Sequence, residues 1–286
     1  MPSPIIVGCM RLFSWGLDEQ GLRDWIDRVL DLGITSFDHA DCYGDYGVQA
    51  AFGAAMTPAQ RERVEIIGKV GVMLATPGNP GTSVKHYDLS WDHIVGGVER
   101  TLRDLRTDRL DWLLLHRPDF LMDMDEVAEA LGHLRDSGKV LRFGMSNFSP
   151  SQMRLLAAQV PVKLEANQVQ ISLEHTDALA DGTLDTCQEL GMHPMAWSPL
   201  GGGGLFRGDA GLDRLRTALW EVGQAHGGAA DQVALAWLLR HPAGIRPIVG
   251  TGRLDRLAGA AGAASLKLSR QDWYKLLAAA TGSEVP

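Results

Sequence analysis

Hydrophobic positions along this chain follow two alternating rhythms. Short runs rich in Val, Ile and Leu lie at 4–8, 34–38, 64–69, 110–116, 141–146, 164–168, 193–197 and 244–249, with the length and content of buried strands. Between them, segments 17–32, 48–55, 91–105, 125–137, 151–159, 179–190 and 212–226 carry apolar residues at intervals of three and four, and 232–239 repeats the pattern just before the last run. Strands alternating with helices predict a parallel sheet with crossover helices. Eight strand candidates favour a closed (β/α)8 TIM barrel over an open sheet. An open nucleotide-binding sheet would usually carry G-x-G-x-x-G after its first strand, or G-x-x-x-x-G-K-[ST], and neither motif occurs. Residues 73–90, with Pro77-Gly78-Asn79-Pro80-Gly81, read as one long loop after the third strand, and 270–279 as a closing helix with a short tail.

Composition narrows the classes further. At 286 residues the chain fits a single barrel domain over 1–286. Its 45% apolar and 22% charged content is that of a folded core without disordered tracts. A net charge of −8 with no Lys/Arg cluster argues against nucleic acid or an anionic membrane as the main partner. No apolar run approaches the roughly 20 residues that span a bilayer, and Met1-Pro2-Ser3-Pro4 lacks the basic start of a signal peptide. Cys9, Cys42 and Cys187 are odd in number, far apart and without C-x-x-C spacing. They point to a reduced, cytoplasmic protein. A monomer or small homo-oligomer is expected.

The chemistry collects at strand ends. Asp38 closes the second strand with Tyr43 five residues on, Lys69 closes the third and His116 the fourth. Ser146-Asn147 ends the fifth, Gln168 the sixth and Trp197-Ser198 the seventh. Taken singly, a lysine at a strand end is usually solvated, a histidine or tryptophan in an apolar run usually core, and Ser-Asn a helix cap. Their recurrence on one end of successive strands is a different matter, because C-terminal strand ends converge at the mouth of a barrel. There a carboxylate holds a lysine ammonium, and the cation lowers the pKa of a nearby phenol towards the working range of a general acid.

These stretches, Phe37-Asp38 through Tyr43-Gly44, Gly68-Lys69-Val70, Leu114-Leu115-His116-Arg117-Pro118, Gly144-Met145-Ser146-Asn147-Phe148, Asn167-Gln168-Val169 and Trp197-Ser198-Pro199-Leu200-Gly201, resemble the aldo-keto reductase family in order and spacing, from Gly8 to about Leu257. The resemblance implies a barrel that binds NADP(H) and reduces aldehydes or ketones to alcohols. It implies Tyr43 as proton donor, Lys69 as the group that lowers its pKa, Asp38 as the partner of Lys69, and His116 as the donor orienting the carbonyl. Cofactor contacts are implied at Gly8, Met10, Arg11, Ser146, Asn147, Gln168, Trp197, Ser198, Leu200, Gly202, Thr251, Arg253 and Arg256. Trp197 would stack on the nicotinamide, and the two arginines near a helix start suit a 2′-phosphate.

Three positions depart from the family pattern: His39 stands where a small hydroxyl residue is common, Trp197 replaces a more frequent tyrosine, and Gly259-Ala260 replace a Glu-Asn pair that touches adenine. Phe13, Trp15, Trp91, Met122 and Phe206 are candidates to line an apolar substrate pocket, and no residue stands out as partner for a carboxylate or phosphate, so a small neutral aldehyde or ketone is expected. Two other assignments stay open. One is a non-catalytic nicotinamide-binding sensor subunit. The other is a metal-dependent hydrolase with Asp38, His39, Asp41 and His116 as ligands.

Overall fold

All eight apolar runs form strands in the computed structural model, which describes residues 4–207 and 211–284. Met1, Pro2 and Ser3, part of the N-terminal reading, lie outside the described residues. The strands are β1 (Ile6–Gly8), β2 (Ser36–Asp38), β3 (Glu65–Val70), β4 (Leu110–Leu115), β5 (Val140–Ser146), β6 (Leu164–Gln170), β7 (His193–Trp197) and β8 (Arg246–Val249). Each pairs in parallel with its chain neighbours, and β8 pairs with β1 through Ile6↔Ile248, closing the barrel. The helices between them are α1 (Glu19–Asp31), α2 (Val48–Ala55), α3 (Trp91–Asp104), α4 (Met124–Asp136), α5 (Pro150–Gln159), α6 (Thr183–Leu190), α7 (Asp213–His226) and α8 (Ala230–Leu239). Beyond β8 come α9 (Leu254–Gly262) and α10 (Arg270–Thr281).

Two differences from the periodicity reading have local causes. The segment expected as one helix over 179–190 is broken: a 3-10 turn at Asp177–Leu179 is followed by Gly182 in the left-handed region (φ +86°), and α6 begins only after it. The loop after β3 is pinned at its base by an antiparallel pair, Val72–Met73 with His86–Tyr87. Two-residue strands carry too little period to be seen in a sequence.

Strand alternation sorts the barrel interior into three layers. At the N-terminal end Glu65 accepts from Ser36 (2.6 Å) and from the Trp112 indole (2.8 Å), and Arg246 lies 3.6 Å from it. Two residues further along the strands comes an apolar plug of Ile6, Ile67, Leu114, Ala166, Met195 and Ile248, with Trp112 packed into it. The third layer, at the C-terminal mouth, holds Asp38, Lys69, His116, Ser146, Gln168 and Trp197. Residues of the opposite parity, including Phe37, Ile66, Leu113, Leu115, Phe143 and Met145, point outward into the main core under the helices.

Close helix packing is enforced at Gly53 of α2, where a Cβ would stand 2.2 Å from the Asp104 carbonyl oxygen and 2.6 Å from the Leu105 Cα. Gly96 in α3 has no atom within 4 Å of the same position. Gly53→Ala is therefore expected to cost about 1–3 kcal/mol by overpacking against backbone. Gly96→Ala should gain about 0.8–1 kcal/mol of helix propensity. Urea unfolding of both variants checks the pair; a stable Gly53→Ala would mean that α2 and α3 are not held at this distance.

Candidate active site

Three strand ends place the central ion pair. Lys69 on β3 is fully buried, and its Nζ donates to Asp38 Oδ2 on β2 at 2.6 Å. The same oxygen accepts from Gln168 Nε2 on β6 at 2.8 Å, from the other side of the barrel. Asp38 Oδ1 accepts a longer bond from the Tyr43 hydroxyl at 3.5 Å. The Tyr43 ring lies 5.1 Å from the Lys69 ammonium and edge-on to His116, with ring centroids 6.1 Å apart.

The titrations follow from these contacts. Burial, and then the Asp38 charge, hold the Tyr43 phenol well above its ordinary value of 10. Asp38 is bonded to both Tyr43 and Lys69 and lies between the phenol and the ammonium charge. Burial, then Lys69 and Arg117, hold His116 well below 6.5, so its imidazole is neutral. His116 Nδ1 is buried with no hydrogen-bond partner. The mouth thus presents a protonated phenol beside a neutral imidazole.

A second set of residues is tied together on the β5–β7 side. Ser146 Oγ donates to the Gln168 carbonyl at 2.8 Å, and Asn147 Nδ2 donates to Ser146 Oγ at 2.7 Å and to the His116 carbonyl at 3.3 Å. Trp197 Nε1 donates to Asn147 Oδ1 at 2.9 Å. Asn147 (φ +63°) and Ser198 (φ +50°) turn the chain sharply after β5 and β7 through the left-handed region, which asparagine tolerates better than most residues. These turns aim the side chains across the mouth.

Tyr43, His116 and this network border a cleft of about 910 Å3. Gly8, Met10, Arg11, Asp38, Ser146, Asn147, Gln168, Trp197, Ser198, Leu200, Gly202, Thr251 and Arg256 all line it, with Lys69 directly beneath. Arg253 does not line it: its guanidinium is tied to Asp255 at 3.1 and 2.5 Å. Of the apolar pocket candidates only Phe206 lines the cleft. Trp15 packs on Trp25 (4.7 Å) and Trp91 on His133 (5.8 Å), Phe13 lies against Gly44, and Met122 joins the core under the helices. The metal quartet does not assemble. Asp38 is committed to Lys69, and His39, of the opposite strand parity, packs edge-on against Phe52 of α2 at 4.6 Å. Among the described residues the one trio with metal-binding atoms within 4.8 Å of one another is Asp41, Cys42 and His116.

With this geometry in place, the comparisons with known proteins decide the family. The Aldo/keto reductase family profile matches residues 4–280. The chain belongs to the aldo-keto reductase family. It is similar to Oxidoreductase YdhF of Escherichia coli (strain K12), 46% identical over 99% of this chain and 95% of that one. It is also similar to a 6-dehydroglucose reductase of Agrobacterium fabrum, 44% identical over 91% of this chain and 88% of that one. Among solved structures, an aldo/keto reductase from Klebsiella pneumoniae in complex with NADP and acetate superposes with a TM-score of 0.76, at 27% identity over 96% of this chain and 90% of that one. Aldo-keto reductases are oxidoreductases that use NADP(H).

The residues present fit that cofactor. Gln168 commits one amide hydrogen to Asp38, leaving its second hydrogen and its oxygen for a planar carboxamide. The turn Gly201–Gly203 has three successive positive φ values, and a Cβ at Gly201 would collide with the Glu174 carboxylate at 1.8 Å. Such a turn brings backbone amides close to a phosphate. Arg256, in the first turn of α9, faces the cleft with no hydrogen bond or ion pair among the described residues.

Asp41, expected from the sequence only as a metal ligand, is the most perturbed carboxylate near the site. Both its oxygens are buried, and burial pushes its pKa from 3.8 up to about 7, against the pull of Arg100 at 3.7 Å and of the Cys42 backbone amide. The folded state therefore holds this proton between pH 4 and 7 where the unfolded chain has lost it. Stability falls as pH rises through that window, by a penalty on the order of 4 kcal/mol that is complete above 7. His39, with its pKa lowered to about 3, acts oppositely, costing stability as pH falls below 6.5. In Asp41→Asn the His39 contribution is unchanged, so the stability gained over wild type is expected to grow from near zero at pH 4 to a few kcal/mol at pH 8, by urea unfolding. A pH-independent difference would mean that Asp41 stays ionised in the fold.

Proposed function

We propose that the protein is an NADP(H)-dependent carbonyl reductase, of the alcohol dehydrogenase or carbonyl reductase type, that converts aldehydes or ketones to alcohols. The observation that carries this reading is a protonated Tyr43 phenol at the cleft wall, beside a neutral His116 and above a buried Lys69–Asp38 pair. The bound reduced nicotinamide supplies a hydride, and the chain supplies binding, orientation and the proton. Ser146, Asn147 and Gln168 hold the carboxamide, Trp197 flanks the ring, and the Gly201–Gly203 turn with Ser198 and Leu200 approaches the pyrophosphate. Gly8, Met10, Arg11 and Thr251 complete the wall, and Arg256 reads the 2′-phosphate with the amino end of α9. Arg253, engaged by Asp255, takes no part in this scheme.

Negative charge developing on the carbonyl oxygen needs donors already aimed at it. With Nδ1 turned into the protein, Nε2 is the nitrogen His116 offers to that oxygen. Tyr43 delivers the proton from its hydroxyl. The ring of the phenolate left behind is centred 5.1 Å from the Lys69 ammonium, and that cation lowers the cost of the transfer. The relative named 6-dehydroglucose reductase supports reduction of a carbonyl as the reaction class. Three buried, unpaired cysteines support a reducing, cytosolic setting.

Tyr43→Phe should lower kcat by about 10²–10⁴-fold, the usual worth of a positioned general acid, with NADPH affinity within about twofold of wild type. NADPH consumption on a panel of carbonyls, beside cofactor titration by tryptophan fluorescence, separates the outcomes. A wild-type kcat in this variant sinks the assignment, and cofactor binding without turnover in the wild type favours the sensor subunit instead. Arg256→Ala is expected to weaken NADPH about tenfold or more and NADH little, since it removes a charge-assisted contact to the 2′-phosphate alone. Equal losses for both cofactors would show that another group reads that phosphate.

A further inference from the structure

Partly or fully buried arginines in this protein come with carboxylates. Arg23, Arg61, Arg100, Arg109, Arg216 and Arg246 are all at least half-buried, and each lies within 4 Å of an Asp or Glu oxygen. Arg117 is the exception among the described residues. It is half-buried on the cleft wall, with no hydrogen bond and no ion pair. A cation on the cleft wall with no carboxylate of the protein beside it is available to an anion that a ligand brings.

Its place in the cleft says which ligand that is. Arg117 directly follows His116, its charge helps depress the His116 imidazole, and its guanidinium stands 5.9 Å from the centre of the Trp197 ring. It therefore sits at the chemical end, whereas the cation for the cofactor's 2′-phosphate, Arg256, lies in the first turn of α9. The carboxylates bordering the cleft leave it unneutralised: Asp38 is spent on Lys69 and Gln168, and Asp231 begins α8. The cation–π contact with Trp197 keeps the guanidinium at this end of the cleft, and its planar fork matches a carboxylate bidentately.

We infer that Arg117 is a specificity-determining residue that receives a carboxylate on the carbonyl substrate, so that the preferred substrates are aldehyde or keto acids rather than neutral carbonyls. This rests on the carbonyl reductase reading and reverses the neutral substrate expected from the sequence. The charge partner is invisible in the motif Leu115-His116-Arg117-Pro118, because an arginine in a loop is ordinarily paired or solvated.

The test compares acids with their own amides, succinic semialdehyde with its amide and 3- and 4-carboxybenzaldehyde with theirs, in wild type, Arg117→Gln and Arg117→Lys. The best acid is expected to exceed its amide at least tenfold in kcat/KM. That ratio should collapse to within about twofold in Arg117→Gln and persist in part in Arg117→Lys, which keeps the charge but not the fork. Equal acid and amide rates in wild type, or a ratio that survives Arg117→Gln, overturns the inference. Binding of 4-hydroxymethylbenzoate to the NADP⁺ complex, followed by tryptophan fluorescence, is read without turnover and should weaken about tenfold in Arg117→Gln. If no carbonyl is reduced but this binding depends on Arg117, the anion site stands and the reductase reading fails. If neither is seen, both fall.

Discussion

A fully buried ammonium is the constraint on which the mouth of this barrel is built. Lys69 has no solvent to fall back on, so its charge must be met within the protein, and Asp38 meets it at 2.6 Å. Breaking such a pair by removing one partner typically costs about 3–5 kcal/mol, because the other charge is stranded. The pair spans β2 and β3, and Gln168 donates to the same carboxylate from β6. Three strands are thereby held in register around one oxygen atom, and Tyr43 hangs from the other oxygen. Local strain or loop flexibility would disturb such an arrangement. A closed parallel sheet, buried on both faces, supplies the rigidity it needs.

The same alternation that makes a strand buried on both faces decides which residues reach the site. Glu65, Ile67 and Lys69 share one face of β3, and so do Trp112, Leu114 and His116 on β4. The inward positions run from a polar base through an apolar plug to a polar mouth, while the intervening residues anchor the helices. His39 shows the rule by contrast: one residue beyond Asp38, it faces α2 and packs on Phe52. The apolar middle layer also keeps the two polar ends apart. The charges around Glu65 and Arg246 lie at the closed base, and those around Asp38 border the cleft at the mouth.

Electrostatics in the cleft divide by position. The acidic protein, with a net charge of −8, carries Arg11, Arg117, Arg207 and Arg256 on this one cavity. A concave surface with an excess of cations concentrates anionic ligands against the overall charge. In its wall, burial and the Asp38 charge keep the phenol neutral, and burial with Lys69 and Arg117 keeps the imidazole neutral, so each can donate a hydrogen bond without carrying charge of its own.

Much of this was legible in the chain. Strand and helix periodicity predicts the barrel, since eight apolar runs separated by amphipathic segments have few other ways to bury both faces of a sheet. The placing of Asp38, Lys69, His116, Ser146, Gln168 and Trp197 at the ends of those runs predicts that they share one mouth. Relations across the barrel are a different kind of fact, because they depend on distances between residues far apart in sequence. Gln168 reaches Asp38 across 130 positions, Arg253 is captured by Asp255 while Arg256 has no partner among the described residues, and Trp15 and Trp91 are drawn into packing rather than the cleft. Likewise the raised pKa values of Tyr43 and Asp41, and the lack of a counter-ion for Arg117 among the described residues, arise from what surrounds each group once the chain has closed. Period and residue type determine which face a side chain occupies; only the tertiary structure decides what it meets there.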